Sequence, residues 1–150
     1  MPATKTKKSD NVFSEEERAA VQATARERKS QGKLTPEQER AAGLQDLRDS
    51  LAKMPPDDRA MGERIHQIVS AAVPALSPKT YYGMPAYAKD GKTIAFYKAK
   101  SKFKVRYSTV GFQPDATLAD GEMWATEFAV IELTPKVEAR IAELVKKASG

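Results

Sequence analysis

The stretch Pro78-Lys79-Thr80-Tyr81-Tyr82-Gly83-Met84-Pro85-Ala86-Tyr87-Ala88-Lys89-Asp90-Gly91-Lys92 decides how this chain folds. Pro78 and Pro85 block helix propagation, and Gly83 accepts backbone angles that bulkier residues resist. The segment up to Tyr87 therefore reads as a shaped, aromatic entry into a sheet. Met84–Lys89 reads as a strand, Asp90-Gly91 as a two-residue hairpin turn and Lys92–Ala99 as the returning strand. Asp-Gly suits a turn whose two central residues both need positive φ.

On the N-terminal side, Thr35-Pro36-Glu37-Gln38 starts a helix. Thr35 can cap it, Pro36 fits the first helical position and Gln38 completes a capping box. Leu44, Leu47, Leu51 and Met54 then recur on one helical stripe, which Pro55-Pro56 ends. Asp57 or Asp58 restarts a helix that gathers Met61, Ile65, Ile68, Val69 and Ala72 on one face, closed by Pro74 and Pro78. Residues 36–73 thus read as a pair of helices. Upstream, Met1–Val12 is polar and Lys-rich and reads as a disordered tail. Ser14-Glu15-Glu16-Glu17 opens an alanine-rich, exposed charged helix to about Lys29, and Ser30–Lys33 reads as a linker. The boundary is placed as a tail and charged helix over residues 1–35 and a domain over 36–150.

On the C-terminal side, Phe103, Val105 and Tyr107 alternate with Lys102, Lys104 and Arg106, a pattern that predicts a half-buried strand. Gly111–Gly121 is turn-rich, Glu127–Leu133 reads as a final strand, and Thr134-Pro135 caps a helix burying Val137, Ile141, Leu144 and Val145. The fold class is α+β. An N-terminal helical pair precedes an antiparallel sheet of about four or five strands, with a C-terminal helix packed on it.

Composition narrows the function classes. The chain of 150 residues contains no cysteine, which excludes disulfides, thiolate metal sites and cysteine nucleophiles and suits a cytoplasmic setting. No apolar run is long enough to span a bilayer, and no apolar core follows the N-terminal lysines to make a secretory signal. The net charge of +5 is shared as +2 over residues 1–54 and +3 over 55–150, so neither part is a strong polycation.

Several groups of residues can carry chemistry. Tyr81, Tyr82, Met84 and Tyr87, with Trp124 nearby, form a candidate aromatic binding surface, since rings with polar tips suit a small-molecule or protein partner. The same aromatics also suit a core and its rim. The basic strand 98–106, with Lys102, Lys104 and Arg106 on one face, is a candidate for nucleic acid or another anionic partner. The simpler reading, favoured by the modest net charge, is the lysine-protected solvent face of an antiparallel sheet. Asp120, Glu122, Glu127 and Glu132 are the only carboxylates that suggest a metal site, and they show no ligand-loop spacing. His66, the single histidine, reads as a boundary residue of its helix. No nucleophile–base pair or cofactor fingerprint appears, so a non-enzymatic binding or chaperone-type domain without a resident cofactor is expected.

Tyr82-Gly83-Met84-Pro85-Ala86 follows helices and a proline-bounded loop and precedes Asp90-Gly91-Lys92 and a Phe-Tyr strand. In this it resembles the YdhG-like domain family of small bacterial proteins, in an actinobacterial-type version. The resemblance covers about Leu44 to Ala148. It implies the α+β fold given above and, because some members are described as frataxin-like iron chaperones, an ability to handle iron. It carries over no catalytic residue.

Overall fold

The computed structural model describes residues 34–150, so the tail and charged helix expected before Leu34 lie outside the described residues. Helix α1 (Pro36–Ala52) begins at the capping box read from the sequence. The Gln38 amide donates to Thr35 Oγ1 at 3.2 Å, and the Thr35 amide donates to Gln38 Oε1 at 3.0 Å. Two of the orphan amides of the first turn are satisfied in this way. Helix α2 (Pro56–Ala72) starts at Pro56, slightly ahead of the expected Asp57 or Asp58, with both aspartates in its first turn. Proline at the first position gives up no hydrogen bond, and the acids complement the helix dipole.

Five strands follow: β1 (Ser77–Tyr81), β2 (Met84–Lys89), β3 (Lys92–Lys98), β4 (Ser108–Phe112) and β5 (Glu127–Val130). They form one antiparallel sheet in the order β1-β2-β3-β4-β5. The turn at Asp90-Gly91 takes φ of 50° and 78°, the positive pair expected there. Tyr82-Gly83 takes φ of 49° and 78° and makes a second two-residue hairpin. Upstream of it, the proline-marked entry is itself a strand. Pro78 fits because β1 is an edge strand, where one side of the backbone needs no ladder partner.

The strand expected over 103–107 is a correction. Lys100–Phe103 is a single helical turn, α3, ended by Lys104 at φ 55°. Phe103 and Val105 are exposed rather than alternating into a core. Local alternation loses to tertiary anchoring: the Lys100 ammonium bonds Asp57 and Asp58, the Ser101 amide donates to Asp58 Oδ2, and the Lys100 amide donates to Ser108 Oγ. These bonds wind the chain before β4 can begin. Gly111 and Phe112, expected in a turn-rich region, complete β4, and β5 stops at Val130, leaving Ile131 exposed. Helix α4 (Pro135–Ala148) is capped by Thr134 Oγ1, which accepts from the Val137 amide at 3.3 Å.

The three long helices among the described residues pack on one face of the sheet. Leu47 and Leu51 of α1, Ile65, Ile68 and Val69 of α2, and Ile141 and Val145 of α4 meet Tyr87, Ala95, Tyr97, Val110 and Phe112 in one core. Close approach is built in by glycine. A Cβ on Gly62 would lie 2.9 Å from Tyr97 Cε2, and one on Gly43 would collide with the Pro78 carbonyl. Tyr97 is fully buried, its hydroxyl donating to the Asp58 carbonyl at 2.9 Å. The opposite face holds a smaller cluster of Met84, Ala86 and Phe96, with Tyr81 against it. The Phe96 ring lies on the backbone of β4, where a Cβ at Gly111 would come within 2.6 Å of its Cε1.

Candidate functional site

The Tyr82-Gly83 turn sets the site. Positive φ at Tyr82 turns its side chain outward, and the ring is 45% exposed. It packs edge-on against Tyr81, ring centroids 4.6 Å apart at 76°, and Tyr81 stands 6.2 Å from Phe96. Helix α3 brings a third element to this corner. Lys102 Nζ donates to the Tyr82 carbonyl at 3.3 Å, and Lys98 Nζ sits 4.5 Å from the centroid of the Phe103 ring. Lys102 Nζ is 5.9 Å from that ring, which is itself 40% exposed. Ammonium groups over an aromatic face are held by the ring quadrupole, so the rings and the cations present one surface. Burial, and then the Lys53 charge, pull the Lys102 pKa below the ordinary lysine value. A charge so placed gains from an anionic partner.

The residues expected at the two binding surfaces divide differently. Tyr81, Tyr82 and Lys102 come together at this corner, joined by Lys98 and Phe103. Met84 is buried beneath it, at the end of β2. Tyr87, expected on the same aromatic surface, is buried on the helical side of the sheet. Trp124 is half-exposed but lies elsewhere. Tyr82 marks the Tyr81–Met84 end of edge strand β1, whereas Trp124 precedes β5, the opposite edge. It does so at the other end, where the Phe112 amide bonds the Thr126 carbonyl and Phe112 faces Ala95. Four strand spacings, about 19 Å, separate the two edges. Lys102, Lys104 and Arg106 do not share a strand face either. Lys104 occupies the left-handed end of α3, and the Arg106 guanidinium stands 5.3 Å from the Tyr107 ring centroid.

Asp120, Glu122, Glu127 and Glu132 are all exposed, and no group of three or more His, Asp or Glu among the described residues is placed to hold a metal ion. A groove of about 200 Å³ lies away from the aromatics, between α1 and the β1–β2 pair, bordered by Leu34, Arg40, Gly43, Pro78, Lys79 and Gly91. Arg40 donates there to the Pro74 carbonyl at 2.8 Å, which ties α1 to the start of the sheet.

Two buried polar pairs serve the scaffold. His66, half-buried on α2, has Nδ1 3.0 Å from the Tyr87 hydroxyl, and the rings stack at 5.9 Å. Burial, and then the Arg48 charge, lower the His66 pKa, while burial raises that of Tyr87. Both groups are therefore neutral at pH 7, an arrangement suited to a phenol–imidazole hydrogen bond. Asp58, 1% exposed, accepts from Lys100 Nζ at 2.6 Å and from the Ser101 amide at 3.2 Å. Burial works to raise its pKa, but the bonds from Lys100 and Ser101 outweigh this and hold it below the ordinary value. Lys100 is shifted upward by its hydrogen bonds to Asp57 and Asp58.

Sequence reasoning missed Lys98 with Phe103 as a pair, because Phe103 was assigned to a core-facing strand position. The missed signal was the match between Asp57-Asp58 and Lys100, which helix α3 depends on. The described residues define an α+β protein in which helices cover a five-stranded antiparallel meander. No family model matches the chain, and neither a curated protein nor a solved structure matches it. The YdhG-like resemblance therefore rests on the Tyr82–Ala86 segment and its flanks alone.

Proposed function

We propose that this protein is a non-enzymatic binding domain whose partner is single-stranded nucleic acid, taken at the Tyr82–Phe103 corner. The observation that carries the reading is the pairing of two exposed rings with the ammonium groups of Lys98 and Lys102. Bases stack on such rings, and phosphates neutralise such cations. Lys104, exposed on the same turn, extends the basic surface. Catalytic machinery plays no part in the reading, and the polar pairs His66–Tyr87 and Asp58–Lys100 are occupied with each other. The iron-handling expectation has no gathered carboxylates behind it among the described residues.

Fluorescence anisotropy with a labelled single-stranded oligonucleotide tests the proposal. Three lysines contacting phosphate predict a log–log salt slope of about −2. Tyr82→Asn keeps a residue that tolerates positive φ and removes one stacking platform, worth about 1–3 kcal/mol. Lys98→Glu with Lys102→Glu abolishes binding. Absence of any anisotropy change at low salt, or affinity indifferent to salt, rejects the reading.

A further inference from the structure

The exposed large hydrophobic side chains gather at two places. Tyr82 and Phe103 belong to the basic corner, and Val105 lies two residues on. Met123, Trp124 and Ile131, 89%, 44% and 70% exposed, flank β5, where the nucleic-acid reading gives them no role. That strand pairs with β4 on one side, and no described residue pairs with its other side. An open strand edge is a template for another chain unless it is blunted. The opposite edge, β1, is blunted by Pro78 and Lys79 and has Gly43 of α1 close against it. β5 carries neither proline nor lysine. We propose that β5 takes an extended peptide of a partner protein as a sixth strand, and that this peptide alternates basic with uncharged residues.

Charge chooses the occupant. From Tyr107 to Pro135 the chain has Asp115, Asp120, Glu122, Glu127 and Glu132 and no lysine or arginine, inside a protein of net charge +5. Asp115 lies 3.9 Å from Lys92, whereas the other four carboxylates enter no ion pair among the described residues. Nor do they gather to hold a metal ion. Strung along the strand and its flanks, they suit cationic groups at intervals. A second copy paired edge to edge would set these acids against themselves, which like charge opposes. Strand alternation sets the pattern of the peptide. Glu127 ends the cross-strand row Ala86–Phe96–Gly111, on the face turned away from the helices. A lysine or arginine added opposite it joins that row and meets the carboxylate. Phe128 takes the helical side and has the Arg140 guanidinium 5.6 Å from its ring centroid, so the partner residue beside it is uncharged. Main-chain bonds hold such a strand, and Trp124 and Ile131 offer apolar contact at its two ends.

Titration of the isotope-labelled full chain with the capped peptide acetyl-(Lys-Val)4-amide, followed by amide NMR, tests this. The expected result is saturable shifts at Glu127–Val130, with binding at least about tenfold tighter than that of acetyl-(Glu-Val)4-amide. N-methylation of the peptide at either its lysines or its valines, whichever set faces β5, abolishes binding, and methylation of the other set does not. Glu127→Lys, at an exposed position, weakens (Lys-Val)4 and strengthens (Glu-Val)4. Lys98→Glu with Lys102→Glu leaves the titration unchanged, which separates this result from nucleic-acid binding at the corner. Unmoved β5 amides, equal binding of the acidic peptide, or indifference to both methylations overturns the proposal. So do shifts of the same amides with protein concentration alone, which would make the sixth strand a second copy of the chain.

Discussion

Replacing Lys100 by methionine isolates the energetic role of the buried Asp58. The substitution keeps an unbranched apolar stem as far as Cε and removes the ammonium that donates to Asp58 Oδ1 at 2.6 Å. Asp58 is 1% exposed, so water cannot take over from the lost charge, and Ser101, through its amide and its side chain, is what still bonds the carboxylate. Breaking a buried pair from one side typically costs about 3–5 kcal/mol, because it leaves an uncompensated charge. That is a large fraction of the stability of a domain this size, about 5–15 kcal/mol. The sign of the pH dependence follows from the carboxyl. In the native chain its pKa lies below the unfolded value, so its contribution is present above the unfolded pKa and fades as pH falls through the folded one. In the variant the lowering by Lys100 is gone, so the carboxyl pKa rises above that of the native chain, and the penalty is greatest near neutrality and shrinks on acidification. Urea unfolding of both proteins from pH 7 down to about pH 3 measures this. Adding Asp58→Ala to Lys100→Met recovers part of the loss. A single-variant cost under about 1 kcal/mol at pH 7, or a cost unchanged by acid, refutes the reasoning.

Gly111→Ala pushes a methyl into the Phe96 ring and lowers stability by about 1–3 kcal/mol by overpacking, read as a shift in the urea midpoint at constant slope. His66 titrates below the ordinary histidine range in the folded chain, so protons bind the unfolded chain first and stability falls as pH drops through that range. Proton NMR of the single imidazole gives the pKa directly. Tyr87→Phe removes the partner of Nδ1 and costs about 0.5–1.5 kcal/mol in thermal or urea unfolding.

Much of the fold was legible wherever local chemistry decides the backbone. The Thr35 capping box, the Asp90-Gly91 turn and the Thr134-Pro135 start of α4 lie where the sequence places them, because each depends on residues within three or four positions. Elements fixed from a distance were not legible. The 100–107 segment alternates like a strand, yet Asp58, 42 residues earlier, anchors Lys100 and winds it into a turn. Pro78 speaks against a strand unless its edge position is known, and that position depends on the whole sheet order. The same holds for the site. Tyr81, Tyr82 and Lys102 were each visible as candidates, but their union at one corner and the removal of Trp124 to another follow from topology. Tyr87 was misplaced because an aromatic run beside a turn does not reveal which side of a sheet each ring takes.

The paired tight turns also bear on the order in which the chain assembles. With Tyr82-Gly83 and Asp90-Gly91 as two-residue connections, β1, β2 and β3 find their partners at minimal loop-closure cost, which favours early formation of that meander. The contact that closes the domain is of the opposite kind. Arg64 on α2 grips Glu138 on α4 through two hydrogen bonds of 2.9 and 2.8 Å across 74 residues. On a ribosome, the meander has its full sequence well before α4 is synthesised. Val110 and Phe112 then wait without their helical cover until Ile141 and Val145 emerge, and that interval is when this chain most needs protection from association with its neighbours.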